Sequence, residues 1–480
     1  MRRILTLLAL GATLLGAVSA FAQEPSDKEA RKAARKEAVK EEIKAHFKPY
    51  GFIRTYGFYN TRATKSLSED LFYFIPLDKE MVGTSDVNAV GIFGYQAITT
   101  RLGLDIKEYR FGNTSIEAKI EADFYCLSSG GNIGTLRMRQ AYAKLSWKPS
   151  EKFSHSLLVG QAWHPIAADL VNSIALESGA PFDAFNRSAQ IMYNANFGKH
   201  VTLTTGFIEQ MQYRSSGPDG STNKYQRYAI LPEAYLGLTF KSGGFLGRIG
   251  ASALSIRPHY GYPKPTTATV TQLATFVDKD GNEYQLPVDE ATITNVSEKR
   301  YDEWLTTFNA FLFLQYTGKI WQVKAKAILA QSGEHMQLNG GYAATAAKAD
   351  GISYEYTPTQ SLVSFLSGQV GKRYQFICMA GYQKNLGLAG GKEMLDASRY
   401  YFSGNGFKNI NQMMRVSPTF AYNIGKMQFA LEYDYTMVQY GGDCDGKLSL
   451  GTDFNKDGTV TQSLHWVSNH HILAMAKFNF

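Results

Sequence analysis

The sequence is dominated by short segments in which apolar and polar residues alternate, separated by turns. Between Thr114 and Tyr125, five apolar side chains fall on one face and five polar or charged side chains fall on the other. A period of two is that of a β-strand with two differently solvated faces. Such strands belong either to a soluble sandwich, where each apolar face must meet a second sheet, or to a closed barrel in lipid, where the apolar face points outward.

The last segment favours the barrel. The alternation runs from His470 to the final residue, Phe480. A last strand that closes on an aromatic residue resembles the C-terminal assembly signal of bacterial outer-membrane barrels, so we expect Phe480 to engage the barrel assembly machinery. The aromatic content of 13% suits a barrel in outer-membrane lipid, with aromatic girdles at both interfaces.

Two segments precede the alternating region. Residues 1–22 contain two arginines, an apolar stretch and a small-x-small motif, which together predict a cleaved secretory signal peptide. No run of eighteen apolar residues follows, so no transmembrane helix is expected. Residues 23–48 are rich in Ala, Lys, Arg and Glu, with an apolar residue at every fourth position from Val39 to Phe47. They predict a short N-terminal periplasmic helix, either a solvated tether or a short coiled coil that helps assembly.

Residues 49–480 predict an all-β domain, a sixteen-stranded antiparallel transmembrane β-barrel. Tight turns and long connections alternate along this region, as periplasmic turns and external loops do in outer-membrane barrels. The even strand count puts both termini in the periplasm, and sixteen strands leave a water-filled channel. The predicted strands are 49–59, 94–107, 114–126, 136–148, 153–163, 188–197, 201–213, 229–241, 245–256, 304–317, 320–331, 359–370, 373–384, 412–423, 426–439 and 467–480.

The net charge and the cysteines limit the kinds of partner that we expect for the chain. The net charge of +8 becomes +6 when Arg2 and Arg3 are removed with the signal peptide. This modest excess does not indicate nucleic-acid binding, and it favours a basic channel lining that attracts anions. Cys126, Cys378 and Cys444 are expected to be free, with a loop-linked disulfide as the alternative.

Charged residues on the inner face of the predicted strands are the candidate pore-lining groups. Arg101, Arg137 and Arg139 lie on neighbouring strands, and a water-filled lumen is a far cheaper environment for them than lipid. Each of them alone could be a solvated lumen residue without a selective role, but their clustering favours an anion-selective wall. The remaining basic candidates are Lys324, Lys326 and Arg415.

The connection between the fifth and sixth predicted strands, residues 164–188, is too apolar for a freely exposed loop. It must bury its apolar side chains, and the barrel mouth or lumen is the available place. Folded inward, this third external loop would narrow the pore and set acidic groups opposite the arginines, which produces a transverse field that orients anionic or dipolar solutes. Its charged residues are Asp169, Glu177, Asp183 and Arg187.

Two short segments carry a family resemblance. Leu136-Arg-Met-Arg-Gln-Ala-Tyr142, followed by Leu157-Leu-Val-Gly-Gln-Ala-Trp163 and a long loop with Pro and Phe, resembles the DcaP-like trimeric porins. The resemblance implies a homotrimeric outer-membrane channel with a periplasmic helical N-terminus, a sixteen-stranded barrel and uptake of organic anions such as dicarboxylates. It places Arg137 and Arg139 on the lumen wall, and Gln161 and Trp163 before the constriction loop. The identity of the solute cannot be inferred from the resemblance, because residues 257–302 contain no motif that corresponds to one in this family.

The remaining motifs are weaker. Asp453, Asn455 and Asp457 match the first half of a calcium loop, but its twelfth position is Leu464 rather than Glu, so a plain turn is the alternative to a weak metal site. No other metal and no cofactor are expected. No Ser/His/acid set can be assembled, so no enzyme is predicted.

The predicted function is passive diffusion of small hydrophilic solutes, anionic ones in particular, through an outer-membrane porin. The alternatives are an outer-membrane barrel whose external loops bind a partner or surface, and an outer-membrane hydrolase.

Overall fold

The computed structural model describes residues 32, 37, 46–65, 72–97, 99–125, 135–174, 179–295, 297–403 and 407–480. The chain divides into two units, residues 1–48 and 49–480. The predicted signal peptide and most of the predicted N-terminal helix lie outside the described residues, although Lys32, Glu37 and His46 are helical. Among the helices that are described, none is long and apolar enough to cross a membrane.

Sixteen strands form one closed antiparallel barrel, which confirms the fold predicted from the alternation. The sheet closes because β16 pairs with β1, from Asn479 opposite Phe52 to His471 opposite Asn60. The strands are β1 Phe47–Asn60, β2 Ile92–Gln96 continued by Arg101–Phe111, β3 Thr114–Tyr125, β4 Thr135–Ser150, β5 Phe153–Trp163, β6 Arg187–Phe197, β7 Val201–Glu209, β8 Glu233–Ser242, β9 Phe245–Ile256, β10 Leu305–Thr317, β11 Trp321–Gln331, β12 Tyr354–Gly371, β13 Tyr374–Leu388, β14 Ile410–Ile424, β15 Met427–Tyr440 and β16 His465–Asn479.

Tight turns connect the strands at one end of the barrel. Gly112 and Gly425 each begin a two-residue hairpin loop with a φ of +57°, a left-handed conformation that glycine adopts without the steric cost of a Cβ. Several strands are longer than predicted, among them β2 and β12. A register shift between Ile106 and Tyr109 lets β2 continue to Phe111. β12 begins at Tyr354 because its first residues pair with a short strand, Gly341–Ala347.

Long loops connect the strands at the other end. We number them in chain order; they include the first loop (residues 61–91), the third (164–186), the sixth (332–353) and the eighth (441–464). The fifth loop contains the predicted hairpin, formed by strands Thr266–Val277 and Glu283–Asn295. The two described cysteines, Cys378 and Cys444, are free, and Cys126 lies outside the described residues.

The outer face of the barrel is apolar, but the inner face is not uniformly polar, as strict alternation would predict. Large apolar side chains such as Phe93, Leu136 and Phe376 are exposed on the outer face, as a lipid-facing surface requires. The inner face is also apolar on one side, from β8 to β13, where it packs against the third and sixth loops. This interior core includes Ile166, Val171, Tyr235, Phe311, Phe313, Met336, Val363, Phe365 and Met379.

Candidate pore-lining site

The three arginines predicted to cluster do lie together on the inner face of β2 and β4. Each of them pairs with a carboxylate of the intervening strand β3. Arg139 Nε lies 2.8 Å from Glu121 Oε1, Arg137 Nε lies 3.0 Å from Asp123 Oδ1, and Arg101 Nη1 lies 3.9 Å from Glu121 Oε2. Among the described residues, the carboxylates nearest to the arginines therefore come from the barrel wall and not from the third loop.

A β-bulge explains why β4 departs from strict alternation. The pairing with β3 skips from Glu121–Gln140 to Ala122–Met138, so that Arg139 is an extra residue without an opposite partner. An inserted residue shifts the pattern of faces by one position. As a result, the buried side chains of Arg139 and its neighbour Gln140 both turn inward and both bind Glu121.

Further cations extend this cluster. Arg54, Arg101 and Lys477 surround the ring of Phe52, at 5.3, 4.9 and 5.7 Å from its centroid. Sequence analysis missed Arg54 and Lys477, although both fall on the inner face of strands that alternate clearly. We call the whole cluster the basic wall. Its members are Arg54, Arg101, Arg137, Arg139, Arg187 and Lys477.

Arg187 is the most deeply buried cation of the basic wall. It is the first residue of β6 rather than part of the third loop, and its side chain lies between the rings of Trp163 (4.9 Å) and Phe185 (5.3 Å). Its Nε donates a hydrogen bond to Gln212 Oε1 at 2.8 Å. Within the described part of the chain, Nη1 and Nη2 of Arg187 and Nη2 of Arg139 have no hydrogen-bond acceptor.

Among the described residues, the basic wall has more cations than carboxylates. Its six cations lie around Glu121 and Asp123, both of which are buried. Other lysines on this side are balanced, because Lys119 pairs with Asp105 at 2.7 Å and Lys144 pairs with Glu117 at 3.2 Å. The unused guanidinium donors and the unbalanced charge are together suited to hold a carboxylate or another oxyanion.

A cavity of about 1000 Å³ lies towards the tight-turn end of the same side of the barrel. It is lined by strands β2 to β6 and by the turns between them, and its lining is rich in hydroxyl, amide and ammonium groups. These include Ser115, Lys144, Ser146, Ser156 and Asn196. A polar space of this size is compatible with a hydrated path beside the basic wall.

The third loop packs inside the barrel against the side opposite the basic wall. Asp183 Oδ1 lies 2.6 Å from Lys326 Nζ, and Asp169 lies 3.0 Å from Arg248 Nη1. Lys324 donates a 2.8 Å hydrogen bond to the carbonyl of Leu170. Asp169 and Asp183 are therefore paired with basic residues of β9 and β11, whereas the sequence predicted acidic groups that face the arginines across the pore. Glu177 lies outside the described residues.

The loop continues to the far strands of the barrel. The backbone N–H of Asn172 donates to Ser367 Oγ at 3.3 Å on β12, and that of Ile174 donates to Glu432 Oε2 at 3.2 Å on β15. Arg415 Nη1 donates to the carbonyl of Ala180 at 3.0 Å. Arg415 and Lys326 thus face the interior, as predicted for pore-lining residues, but loop residues cover both.

The first loop also enters the barrel, which sequence analysis missed. Arg415 donates a hydrogen bond to the carbonyl of Tyr73, and the ring of Phe74 stacks on His471 with centroids 4.0 Å apart. The ring of Phe72 meets Phe185 of the third loop edge-on at 4.8 Å. The only available signal was the Phe72-Tyr73-Phe74 run itself, which is too apolar for an exposed loop.

The candidate calcium residues lie in a compact turn of the eighth loop. Asp453 Oδ2 accepts from Ser449 N (3.0 Å), and Asp457 Oδ1 accepts from Thr459 N (2.9 Å). Asn455 donates to Thr459 Oγ1 at 2.9 Å. These local hydrogen bonds are those of a side-chain-capped turn.

No protein-family model matches the chain, and no curated protein matches it either. Among solved structures, the outer-membrane channel DcaP of Acinetobacter baumannii aligns with 90% of this chain and 97% of its own, at 15% identity and a TM-score of 0.55. The barrel has the fold of the DcaP channel. The resemblance stated from the sequence is therefore confirmed at the level of fold.

Other outer-membrane porins also align. An anion-selective porin from Comamonas acidovorans is 10% identical, with a TM-score of 0.48 over 90% of this chain and 99% of that chain. OmpT of Vibrio cholerae is 10% identical, with a TM-score of 0.44 over 90% of this chain and 97% of that chain.

Proposed function

We propose that the protein is an outer-membrane porin that lets small hydrophilic anions, of dicarboxylate-like chemistry, diffuse passively along the basic wall. The observation that carries this proposal is the charge of that wall, where, in the part of the chain that the structure describes, six cations lie around two carboxylates. In a narrow, low-dielectric passage a few fixed charges dominate the local potential and raise the concentration of counter-ions.

The chemistry of the cations favours carboxylates in particular. Five of the six are arginines, and a guanidinium presents a planar fork of donors that matches a carboxylate. Arg101 and Arg137 are the partly exposed arginines that a solute can contact, whereas the buried Arg139 and Arg187 add to the positive potential of the wall. A solute with two carboxylates could bridge donors on neighbouring strands.

The position of the third loop supports a narrowed channel. Its apolar side chains fill the side of the interior formed by β8 to β13, whereas the polar cavity lies along β2 to β6. We therefore propose that the loop confines solutes to the basic wall. This differs from the predicted transverse field, because Asp169 and Asp183 are neutralised by basic partners.

The same proposal includes location and assembly. We propose an outer-membrane barrel with both termini and the residues 23–48 helix in the periplasm, inserted by the barrel assembly machinery through Phe480, and assembled as a homotrimer. The outward apolar residues and the even strand count support the membrane location and the common side of the termini.

Planar bilayers test the proposed function. The purified protein is expected to form channels whose reversal potential in a potassium chloride gradient lies towards the chloride equilibrium potential. Millimolar succinate on one side is expected to reduce the chloride current, because it competes for the basic wall. A cation-selective channel, or a protein that inserts without conducting, would contradict the proposal.

Labelling of intact cells tests the orientation. In a background without the three native cysteines, Asp280→Cys at the tip of the fifth-loop hairpin is expected to react with a membrane-impermeant maleimide, because the long loops are external. Lys199→Cys, in the tight turn between β6 and β7, is the matched control and is expected to react only after permeabilisation. The opposite pattern would show that the barrel is inverted.

A further inference from the structure

Three metal-ligating side chains converge at the loop end of the barrel, away from the basic wall. Asp78 belongs to the first loop, Cys444 to the eighth loop, and His465 is the first residue of β16. His465 Nε2 lies 2.6 Å from Asp78 Oδ1 and 3.4 Å from Cys444 Sγ. One ligand atom of each residue lies within 4.8 Å of the other two, and all three side chains are partly exposed to solvent.

The tautomer of His465 can be inferred from its other nitrogen. Nδ1 lies 2.9 Å from the carbonyl oxygen of Ser463, which cannot donate, so Nδ1 carries the hydrogen. Nε2 is then the nitrogen that faces Asp78 Oδ1 and Cys444 Sγ, so its lone pair points to where the three donor atoms converge. A histidine that binds a metal usually donates its other N–H to a carbonyl, as His465 does.

The third donor favours the metal. Cys444 Sγ lies 3.4 Å from His465 Nε2, so that a thiol, an imidazole nitrogen and a carboxylate oxygen form a set of three donors that one metal ion can use. Cys444 holds a left-handed φ of 59°, which is uncommon for a residue other than glycine and is often associated with functional sites. Its carbonyl accepts a 2.8 Å hydrogen bond from Met81 N, which fixes the eighth loop against the first.

Neighbouring groups also orient the carboxylate. Asn409 Nδ2 donates to Asp78 Oδ2 at 3.0 Å, which turns Oδ1 towards His465. The ring of Tyr440 stacks on that of His465, with centroids 6.4 Å apart. Such supporting contacts are typical of metal sites, where the outer groups hold the ligands in position.

A second cluster provides a useful contrast. His164, Glu233 and His335 also converge, and all three are buried. There His164 Nδ1 accepts from the backbone N–H of Ile166 at 3.2 Å, so its Nε2 carries the hydrogen and donates to Glu233 Oε1 at 3.2 Å. The nitrogen that faces the cluster is therefore a donor, and a hydrogen bond accounts for the contact without a metal.

We propose that Asp78, Cys444 and His465 bind one Zn²⁺ ion, with a fourth position open to water. One thiolate, one imidazole and one carboxylate form a donor set that zinc accepts in tetrahedral geometry. Zinc bond lengths imply ligand separations of about 3.6 Å for sulfur and nitrogen and about 3.4 Å for nitrogen and oxygen. The first is close to the 3.4 Å observed, and the second requires Asp78 Oδ1 to move outward from 2.6 Å.

The ion would tie the first loop to the eighth loop and to the barrel wall. Asp78 lies two residues after Pro76, whose carbonyl accepts a 2.7 Å hydrogen bond from Tyr440, and the segment just before Pro76 enters the barrel interior. Metal binding at Asp78 would therefore stabilise the inward position of the first loop. This inference does not depend on the porin function.

Cobalt substitution tests the site. Full-length Cys126→Ser/Cys378→Ser protein, in which Cys444 is the remaining cysteine, would be stripped with a chelator under reducing conditions and titrated with Co²⁺ in detergent. We expect one Co²⁺ per chain, with the visible bands of tetrahedral cobalt and a thiolate-to-cobalt charge-transfer band, both removed by one equivalent of Zn²⁺. A spectrum without the thiolate band would overturn the proposal.

Three variants make the test specific. Cys444→Ser is expected to remove the charge-transfer band, and Asp78→Asn to weaken Zn²⁺ binding by more than about 100-fold, since each loses a direct ligand. Asn409→Ala keeps all three ligands but removes the hydrogen bond that orients the Asp78 carboxylate. It is therefore expected to weaken Zn²⁺ binding by about 10- to 100-fold. Heat-modifiable migration on electrophoresis confirms that each barrel is folded. Equal zinc affinity in folded Cys444→Ser protein would show that the ion binds elsewhere.

Discussion

Replacing Arg137 and Arg139 together with alanine is expected to move the reversal potential of the channel towards cation preference. The change removes two of the six cations of the basic wall and takes from Asp123 both of its closest positive partners. The cation that remains paired with Glu121 among the described residues is Arg101, at 3.9 Å. The local potential should therefore become much less positive, and the shift should be larger at low salt because screening is weaker there.

Matched variants separate a charge effect from a general disturbance of the wall. Glu121→Gln/Asp123→Asn removes the two carboxylates instead and is expected to strengthen anion preference. Lys119→Ala is expected to change selectivity little, because Lys119 is already paired with Asp105. Recordings across the same salt gradient give all three values. If the double arginine variant keeps the selectivity of the parent protein, these arginines do not control ion passage.

Stability must be monitored in this experiment. Arg139 is buried, and removing one partner of a buried ion pair commonly costs about 3–5 kcal/mol because the other charge remains unpaired. Arg137 is more exposed, so Arg137→Ala alone gives a milder version of the same test. A selectivity shift of the same sign in that single variant, with normal heat-modifiable migration, attributes the effect to charge.

The strands were predictable from the sequence because the membrane imposes a local rule on them. A residue that faces lipid must be apolar and its neighbour faces the interior, so each strand can be recognised from about ten consecutive residues. The predicted facing of side chains is wrong or ambiguous where one extra residue interrupts the alternation. The bulge at Arg139 turns both Arg139 and Gln140 inward, and it was visible in the sequence only as an arginine pair of uncertain facing.

The interior contacts were not predictable, since they depend on pairs of residues far apart in the chain. Arg415 binds the carbonyls of Ala180 and Tyr73, which lie 235 and 342 positions away. Asp183 meets Lys326 across 143 positions. Alternation shows that Arg415 and Lys326 face inward, but it cannot show whether water or a loop meets them. The role predicted for Glu177 stays a prediction.

Replacing Lys326 with methionine is expected to release the third loop and to give larger, noisier single-channel currents. Lys326 and Asp183 form a buried ion pair at 2.6 Å. Methionine preserves most of the side-chain volume but leaves the Asp183 carboxylate buried without its cation, at a cost of about 3–5 kcal/mol. The barrel strands keep their hydrogen bonds, so the molecule can relieve this cost locally if the loop moves away from β11 and Asp183 reaches water.

A double-mutant cycle distinguishes loop release from damage to the barrel. Lys326→Met/Asp183→Asn removes both charges and is expected to recover much of the parent conductance, because no unpaired charge remains to drive the loop away. Lys324→Met is the control, since Lys324 binds only a backbone carbonyl of the loop, that of Leu170, in the contacts described. If Lys326→Met conducts like the parent protein, this ion pair does not hold the loop. If the double variant is as noisy as the single one, the unpaired Asp183 carboxylate does not cause the noise, because the double variant lacks that carboxylate. The lost lysine would then act through packing.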